Sequence, residues 1–155
     1  MSLKFFLTAT ILFGLFSCKK EPELPSIDLP KQEEIKQIEK SYSGGMLGLS
    51  ETITITKDSI IHSHFSAHNN EEKIFKGKNT DQDWKNLISS FKISDFKKIK
   101  SGESVQLVDG VDEKIDIETN LSSYSIVNGY DDTTHYHKIE NLVKRLDKMM
   151  LETKP

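Results

Sequence analysis

A chain of 155 residues with 35% hydrophobic and 29% charged side chains has room for one folded core in water, and its composition excludes wholesale disorder. Its formal charge of −3, from 21 basic and 24 acidic side chains, argues against a nucleic acid partner, which calls for a basic surface. A single cysteine leaves no disulfide within the chain and no site built from several thiolates.

Lys4 is followed by a 12-residue apolar run, Phe5 to Phe16. It fits the hydrophobic region of a secretory leader, with the small Ser17 before the cut, and falls short of the 18 or more residues that span a bilayer. The residue after the expected cut is Cys18, and Leu15-Phe16-Ser17-Cys18 resembles the lipobox of bacterial lipoproteins. The resemblance implies a leader over residues 1–17, a diacylglyceryl group with palmitate-type chains on Cys18, and anchorage at the outer membrane of the cell envelope. Each buried CH₂ contributes about 0.8 kcal/mol, so two or three acyl chains hold a protein at the membrane essentially permanently. Removing the leader deletes Lys4 and leaves 20 basic against 24 acidic side chains, a formal charge of −4.

Residues 18–32 then read as the lipidated cysteine and a tether: Lys19 to Gln32 holds three of the four prolines and shows no helical or strand period. Fully extended, it spans about 40 Å. Its opening Lys-Lys-Glu-Pro-Glu resembles the charged signals that carry some lipoproteins to the cell surface.

No proline occurs between Lys31 and Lys154, so a single domain is expected over residues 33–155. Ile35, Ile38 and Tyr42 lie in a β-like stretch ending in the turn Ser43-Gly44-Gly45-Met46-Leu47-Gly48. Leu49 to Thr56 alternates as a half-buried strand does, with Ile53 and Ile55 inward. Lys57-Asp58 closes a hairpin onto Ser59 to Ser66, where Ile61 and Phe65 share one face and Ile60, His62 and His64 the other. Ala67 to Asn79 reads as loop, with Lys73-Ile74-Phe75 the one hint of an edge strand.

Thr80 and Asp83 stand at capping positions of a helix whose Trp84, Leu87, Ile88 and Phe91 recur at i, i+3, i+4 and i+7. A helical turn over residues 94–99 follows, then a glycine-containing loop through Asp109-Gly110. Ile115 and Ile117 mark a strand paired across Asn120-Leu121-Ser122 with Tyr124, Ile126 or Val127. A closing helix from about Thr134 to Met150 carries Tyr136, Ile139, Val143, Leu146 and Met150 as its apolar stripe. The expected fold is α+β, in the order β-β-β-α-β-β-α: an antiparallel sheet of about five strands with two amphipathic helices on one face.

Five histidines fall into two groups, His62-x-His64-x-x-x-His68 and His135-x-His137. Alternate positions on a strand put His62 and His64 on one face, as a zinc site with His68 would need. The commoner arrangement for such residues is a polar strand face turned to solvent. His135 and His137 converge only if that segment is extended. The clusters Asp109-Gly-Val-Asp112-Glu113 and Asn128-Gly-Tyr-Asp131-Asp132 offer oxygen ligands for calcium, but neither matches an EF-hand, and ordinary turns use the same residues. There is no G-x-S-x-G, no H-E-x-x-H and no P-loop, so the sequence carries no recognisable enzyme signature.

From Ile35 to Gly48 the run I-K-Q-I-E-K-S-Y-S-G-G-M-L-G resembles the opening of emfourin-like proteins, small inhibitors of thermolysin-type metallopeptidases. The hairpin after the glycines, the Trp84 to Phe91 helix followed by Asp95-Phe96, the strand near Asp112 to Ile117 and the closing helix resemble that family's order of elements. This resemblance implies a non-enzymatic protein that binds another protein, a peptidase in the inhibitor case. The contact loop would be Gly44, Gly45, Met46, Leu47 and Gly48, where apolar side chains on a hairpin tip lose little entropy on docking. The competing expectations are a metal-binding domain using His62, His64 and His68, and a structural lipoprotein without a ligand.

Overall fold

Six strands pair into one antiparallel sheet in the computed structural model, which describes residues 32–155. Cys18, the leader and the tether up to Lys31 lie outside the described residues, and with them the expected cleavage and lipidation. The strands are β1 (Ile35–Gly44), β2 (Leu49–Thr56), β3 (Ser59–Ser66), β4 (Glu71–Lys78), β5 (Val111–Thr119) and β6 (Ser123–Val127). Their order across the sheet is β4-β3-β2-β1-β5-β6, so β1 lies between two partners and the chain returns to its other side after the helices.

Alternation along β1 decides the layering. Ile38 is fully buried and stands opposite Ile55 of β2 and Ile117 of β5, while Lys40 stands between Ile53 and Ile115. These residues share the sheet face that the helices cover, because successive side chains on a strand point to opposite faces. The helices are α1 (Asp81–Ile88), α2 (Ile93–Phe96) and α3 (Glu140–Glu152). Their Trp84, Leu87, Phe96, Leu142, Leu146 and Met150 join the sheet isoleucines and Phe91, Ile99 and Ile139 in one core. Burying an aliphatic side chain of this size contributes about 1.5–3 kcal/mol. Among the described residues no helix is long and apolar enough to cross a membrane.

The cap expected at Thr80 is present. Its hydroxyl oxygen accepts from the Asp83 N–H at 3.1 Å and its proton goes to the Asp83 carboxylate at 2.6 Å, which satisfies an otherwise unpaired donor at the start of α1.

Three expectations are corrected. The sheet has six strands rather than about five, because Glu71–Lys78 pairs along the whole of β3. Its sequence, Glu-Glu-Lys-Ile-Phe-Lys-Gly-Lys, hides this: an edge strand has one partner and little burial, so it shows no apolar alternation. The helices number three among the described residues when the four-residue α2, the helical turn expected near residues 94–99, is counted, and α3 begins at Glu140 after a 3₁₀ turn at Tyr136–Ile139 rather than at Thr134. Finally, the β3 face carrying Ile60, His62 and His64 is the inner one, and Ile61 and Phe65 are on the open side.

Candidate functional site

The glycine turn stands at one end of the sheet and is built together with a second loop. Gly44, Gly45 and Gly48 have φ of 121°, 75° and 56°, backbone conformations that side chains disfavour, and these angles let β1 reverse tightly into β2. The Gly45 N–H donates to the Gly110 carbonyl at 2.9 Å, and Gln106 Nε2 donates to the Ser43 carbonyl (3.2 Å) and hydroxyl (3.0 Å). The turn is therefore joined to the loop that leads into β5. That loop has its own anchor in Asp112, which is 6% exposed and accepts from the Ser104 hydroxyl (2.6 Å), the Val105 N–H (2.9 Å) and Asn128 Nδ2 (2.8 Å). These bonds hold the Asp112 carboxyl below its ordinary value of 3.8, with Ser104 the largest cause.

Both loops present apolar side chains to solvent. Met46 is 84% exposed, Leu107 97% and Val108 78%, with Leu47, Leu49 and Val111 also exposed beside them. Half of the large exposed hydrophobic residues among the described ones thus gather at this end. Scattered exposed apolar residues are ordinary, and it is their gathering that makes this end a candidate contact surface. The chain enters the domain at the other end: nine residue steps of β1, about 30 Å, separate Ile35 from Gly44.

The histidine group does not converge. His62 is fully buried, its Nδ1 3.1 Å from both the carbonyl and hydroxyl oxygens of Thr153 and its Nε2 3.0 Å from Glu51 Oε1. Both ring nitrogens are thus engaged by the protein, and the ring ties the end of α3 to the sheet. The solvent-facing placement expected of it is corrected by the inward register of β3. His64 lies opposite Glu51 and is half-buried, whereas His68 lies exposed in the turn beyond β3. No group of three or more His, Cys, Asp or Glu is gathered as a metal site among the described residues.

His135 is bound to Asp132 (Nδ1 to Oδ2, 3.0 Å), and Asp132 also accepts the N–H groups of Lys100, Thr134 and His135. The Lys100 N–H is the largest cause of its low value, about 2. Part of each acidic cluster is consumed in the same way: Asp112 and Asp132 accept backbone and side-chain donors, and Glu113 turns into the core.

The inner face holds a charged cluster that sequence reasoning missed. Lys40 is fully buried, its Nζ 2.9 Å from Glu113 Oε2 and 2.6 Å from Asp147 Oδ1. Tyr42 Oη donates within reach of the same two oxygens at 3.1 and 3.3 Å, and Tyr136 Oη donates to Glu113 Oε1 at 2.7 Å. The signal was present: Lys40 shares strand parity with Ile38 and Tyr42 and so had to point inward.

Burial lowers the affinity of Lys40 for its proton, but Asp147, Tyr42 and Glu113 more than offset this, and its pKa stands above 10.5. Burial pushes Tyr42 up to about 12, and burial with the Glu113 carboxylate pushes Tyr136 higher still. At neutral pH the amine is an ammonium and both phenols are protonated, so none of these three groups acts as a nucleophile or base in that state. It pins α3 to the centre of the sheet.

A pH dependence follows. Burial raises the Glu113 pKa, but donors from Tyr136, Lys40 and Tyr42 outweigh it, and the folded value lies below 4.5. A depressed carboxylate contributes stability that is present above its unfolded value and is lost as pH falls through the folded one. Asp132, with an ordinary value of 3.8 and a folded value of about 2, acts in the same direction. The urea midpoint is expected to hold from pH 7 to about 5 and then to fall steadily between about pH 4.5 and 2. A midpoint unchanged at pH 3 would contradict this account.

No protein-family model matches the chain, and a comparison with curated proteins finds none similar to it.

Proposed function

We propose that the protein is a lipid-anchored envelope protein whose domain binds another protein through the end of the sheet, without catalysing a reaction. The lipobox-like Leu15 to Cys18 supports the anchor, the outer membrane being its expected seat, and the emfourin-like run Ile35 to Gly48 supports a peptidase as the partner. One observation carries the reading: Met46 and Leu47 are exposed on a turn that hydrogen bonds tie to a second exposed apolar pair, Leu107 and Val108. Apolar groups on a braced tip are desolvated on docking at small cost in conformational entropy.

The test is inhibition of a thermolysin-type metallopeptidase by the soluble chain from Lys19 onward. Met46→Asp with Leu47→Asp is expected to raise the inhibition constant about thirtyfold or more, the effect of losing about 2 kcal/mol at a binding hot spot. Its unfolding free energy should stay within about 0.5 kcal/mol of the parent, because both side chains project into water. Absence of inhibition by the parent chain would remove the peptidase reading. Photo-crosslinking from position 107 in the intact envelope then decides the wider one: a defined protein adduct that the double variant loses supports it, and no adduct overturns it.

A further inference from the structure

One edge of the sheet is unpaired. β4 is the outermost strand, joined to β3 along its whole length, and no strand lies on its other side among the described residues. The Asn79 N–H donates to the Asp58 carbonyl at 3.2 Å, one step beyond the pair Ser59 and Lys78, and bonded and non-bonded pairs alternate from there down the ladder. Gly77, Phe75, Lys73 and Glu71 therefore bond to β3. The N–H and C=O groups of Lys76, Ile74 and Glu72 point outward instead, a row without partners.

The side chains along this row are complementary to themselves. Acids stand at the start of β4, Glu71 and Glu72, bases at its end, Lys76 and Lys78, and an exposed Ile74 between them. Glu71 is held by Lys73 at 3.3 Å, whereas Glu72, Lys76 and Lys78 have no ion-pair partner among the described residues. On the open face Ile74 lies opposite Ser63, between Ile61 and Phe65 of β3, which are also exposed. On the helix side of β4, Glu71 and Lys73 are exposed too, so the helix layer stops short of this edge.

We propose that two copies of the chain join edge to edge through β4, antiparallel about a two-fold axis at Ile74, into one sheet with six strands from each copy. In this register Ile74 meets Ile74 of the second copy, and Glu72 of each copy meets Lys76 of the other. Each of these pairs exchanges both backbone bonds, which supply the affinity of a strand added to an edge. Lys73 meets Phe75 of the second copy on the helix side, an ammonium beside a ring. A shift to either neighbouring register sets Ile74 opposite Glu72 or Lys76, and a parallel arrangement sets like charges together. Charges that turn other strands away thus admit this one. The contact is independent of the glycine turn, and the two-fold axis places the two turns at opposite ends of the joined sheet.

The experiment is disulfide crosslinking of the full chain in intact cells. Cα atoms of a bonded pair lie about 5.5 Å apart, within reach of a disulfide, so Ile74→Cys is expected to give a dimer on mild oxidation. Ser63→Cys, three strand spacings or about 14 Å from its counterpart, should give none, and it also measures any crosslink made by Cys18. In the Ile74→Cys chain, Glu72→Lys alone or Lys76→Glu alone turns both ion pairs into like-charge pairs and should lower the yield about fivefold. Both side chains are exposed, so neither change touches the core.

Co-expressing the two charge-reversed chains restores opposite charges at both positions and should return the yield to that of Ile74→Cys alone. An Ile74→Cys yield no higher than that of Ser63→Cys, an adduct with a different protein, or charge reversals that act alike singly and together would overturn the proposal.

Discussion

Replacing Lys40 by methionine is expected to destabilise the domain by about 3–5 kcal/mol, the cost of breaking a buried ion pair from one side. For a domain of this size that is a fall of roughly 10–20 °C in Tm. Methionine fills much of the same volume, so the loss measures charge rather than a cavity. The cost falls unevenly on the two partners. Asp147 is 45% exposed at its side chain and recovers hydration, while Glu113 is 11% exposed and keeps only the tyrosine hydroxyls.

Adding Glu113→Gln to Lys40→Met should therefore recover part of the loss, since a neutral amide is buried at lower cost than an unpaired carboxylate. Urea unfolding of the two single variants and the double variant measures the coupling directly. A single-variant loss below about 1 kcal/mol, or additive losses in the double, would show that water reaches Glu113 and that the cluster does not hold α3.

The contrast between Lys40 and its neighbours explains what the sequence could disclose. β2 and β3 were legible to the residue because the Leu49 to Thr56 alternation and the Lys57-Asp58 turn are local signals. Thr80 and Asp83 marked the start of α1 for the same reason, three residues apart. Lys40 obeys the alternation too, but a lysine in a strand is ordinarily read as solvent-facing, and its partners lie far along the chain, Asp147 being 107 residues away. β4 showed only as the hint at Lys73-Ile74-Phe75, for the opposite reason, since its charged residues protect an edge and erase the period.

The end of the sheet was half legible. Three glycines announce the turn at residues 44–48, but nothing local shows that Leu107 and Val108 stand beside Met46. That neighbourhood is created by the pairing of β1 with β5, where Gly44 meets Val111.

Gly44 is the residue on which this union of loops depends, and Gly44→Val is expected to cost about 2–4 kcal/mol. At φ of 121° a side chain is strained whatever the space around it, which accounts for about 1–3 kcal/mol. A Cβ there would also fall on the Gly110 carbonyl oxygen, the acceptor of the Gly45 N–H, so the turn and the loop must move apart and that bond is weakened by about 1 kcal/mol. Two measurements separate the effects. Urea unfolding reports the total, and hydrogen exchange of the Gly45 amide reports the joint between the loops, with faster exchange expected there than in the paired residues Ile38 and Ile55 in the middle of the sheet.

The comparison with Met46→Asp and Leu47→Asp gives this prediction its force. Those substitutions remove the contact chemistry and leave the frame, whereas Gly44→Val keeps every exposed apolar side chain and loosens the frame beneath them. If a braced surface is what a partner recognises, Gly44→Val should weaken binding even at temperatures where the domain remains fully folded, because a mobile tip must be ordered again on docking. A folded Gly44→Val protein that binds as well as the parent would place recognition in the turn alone and leave Leu107 and Val108 without a part in it.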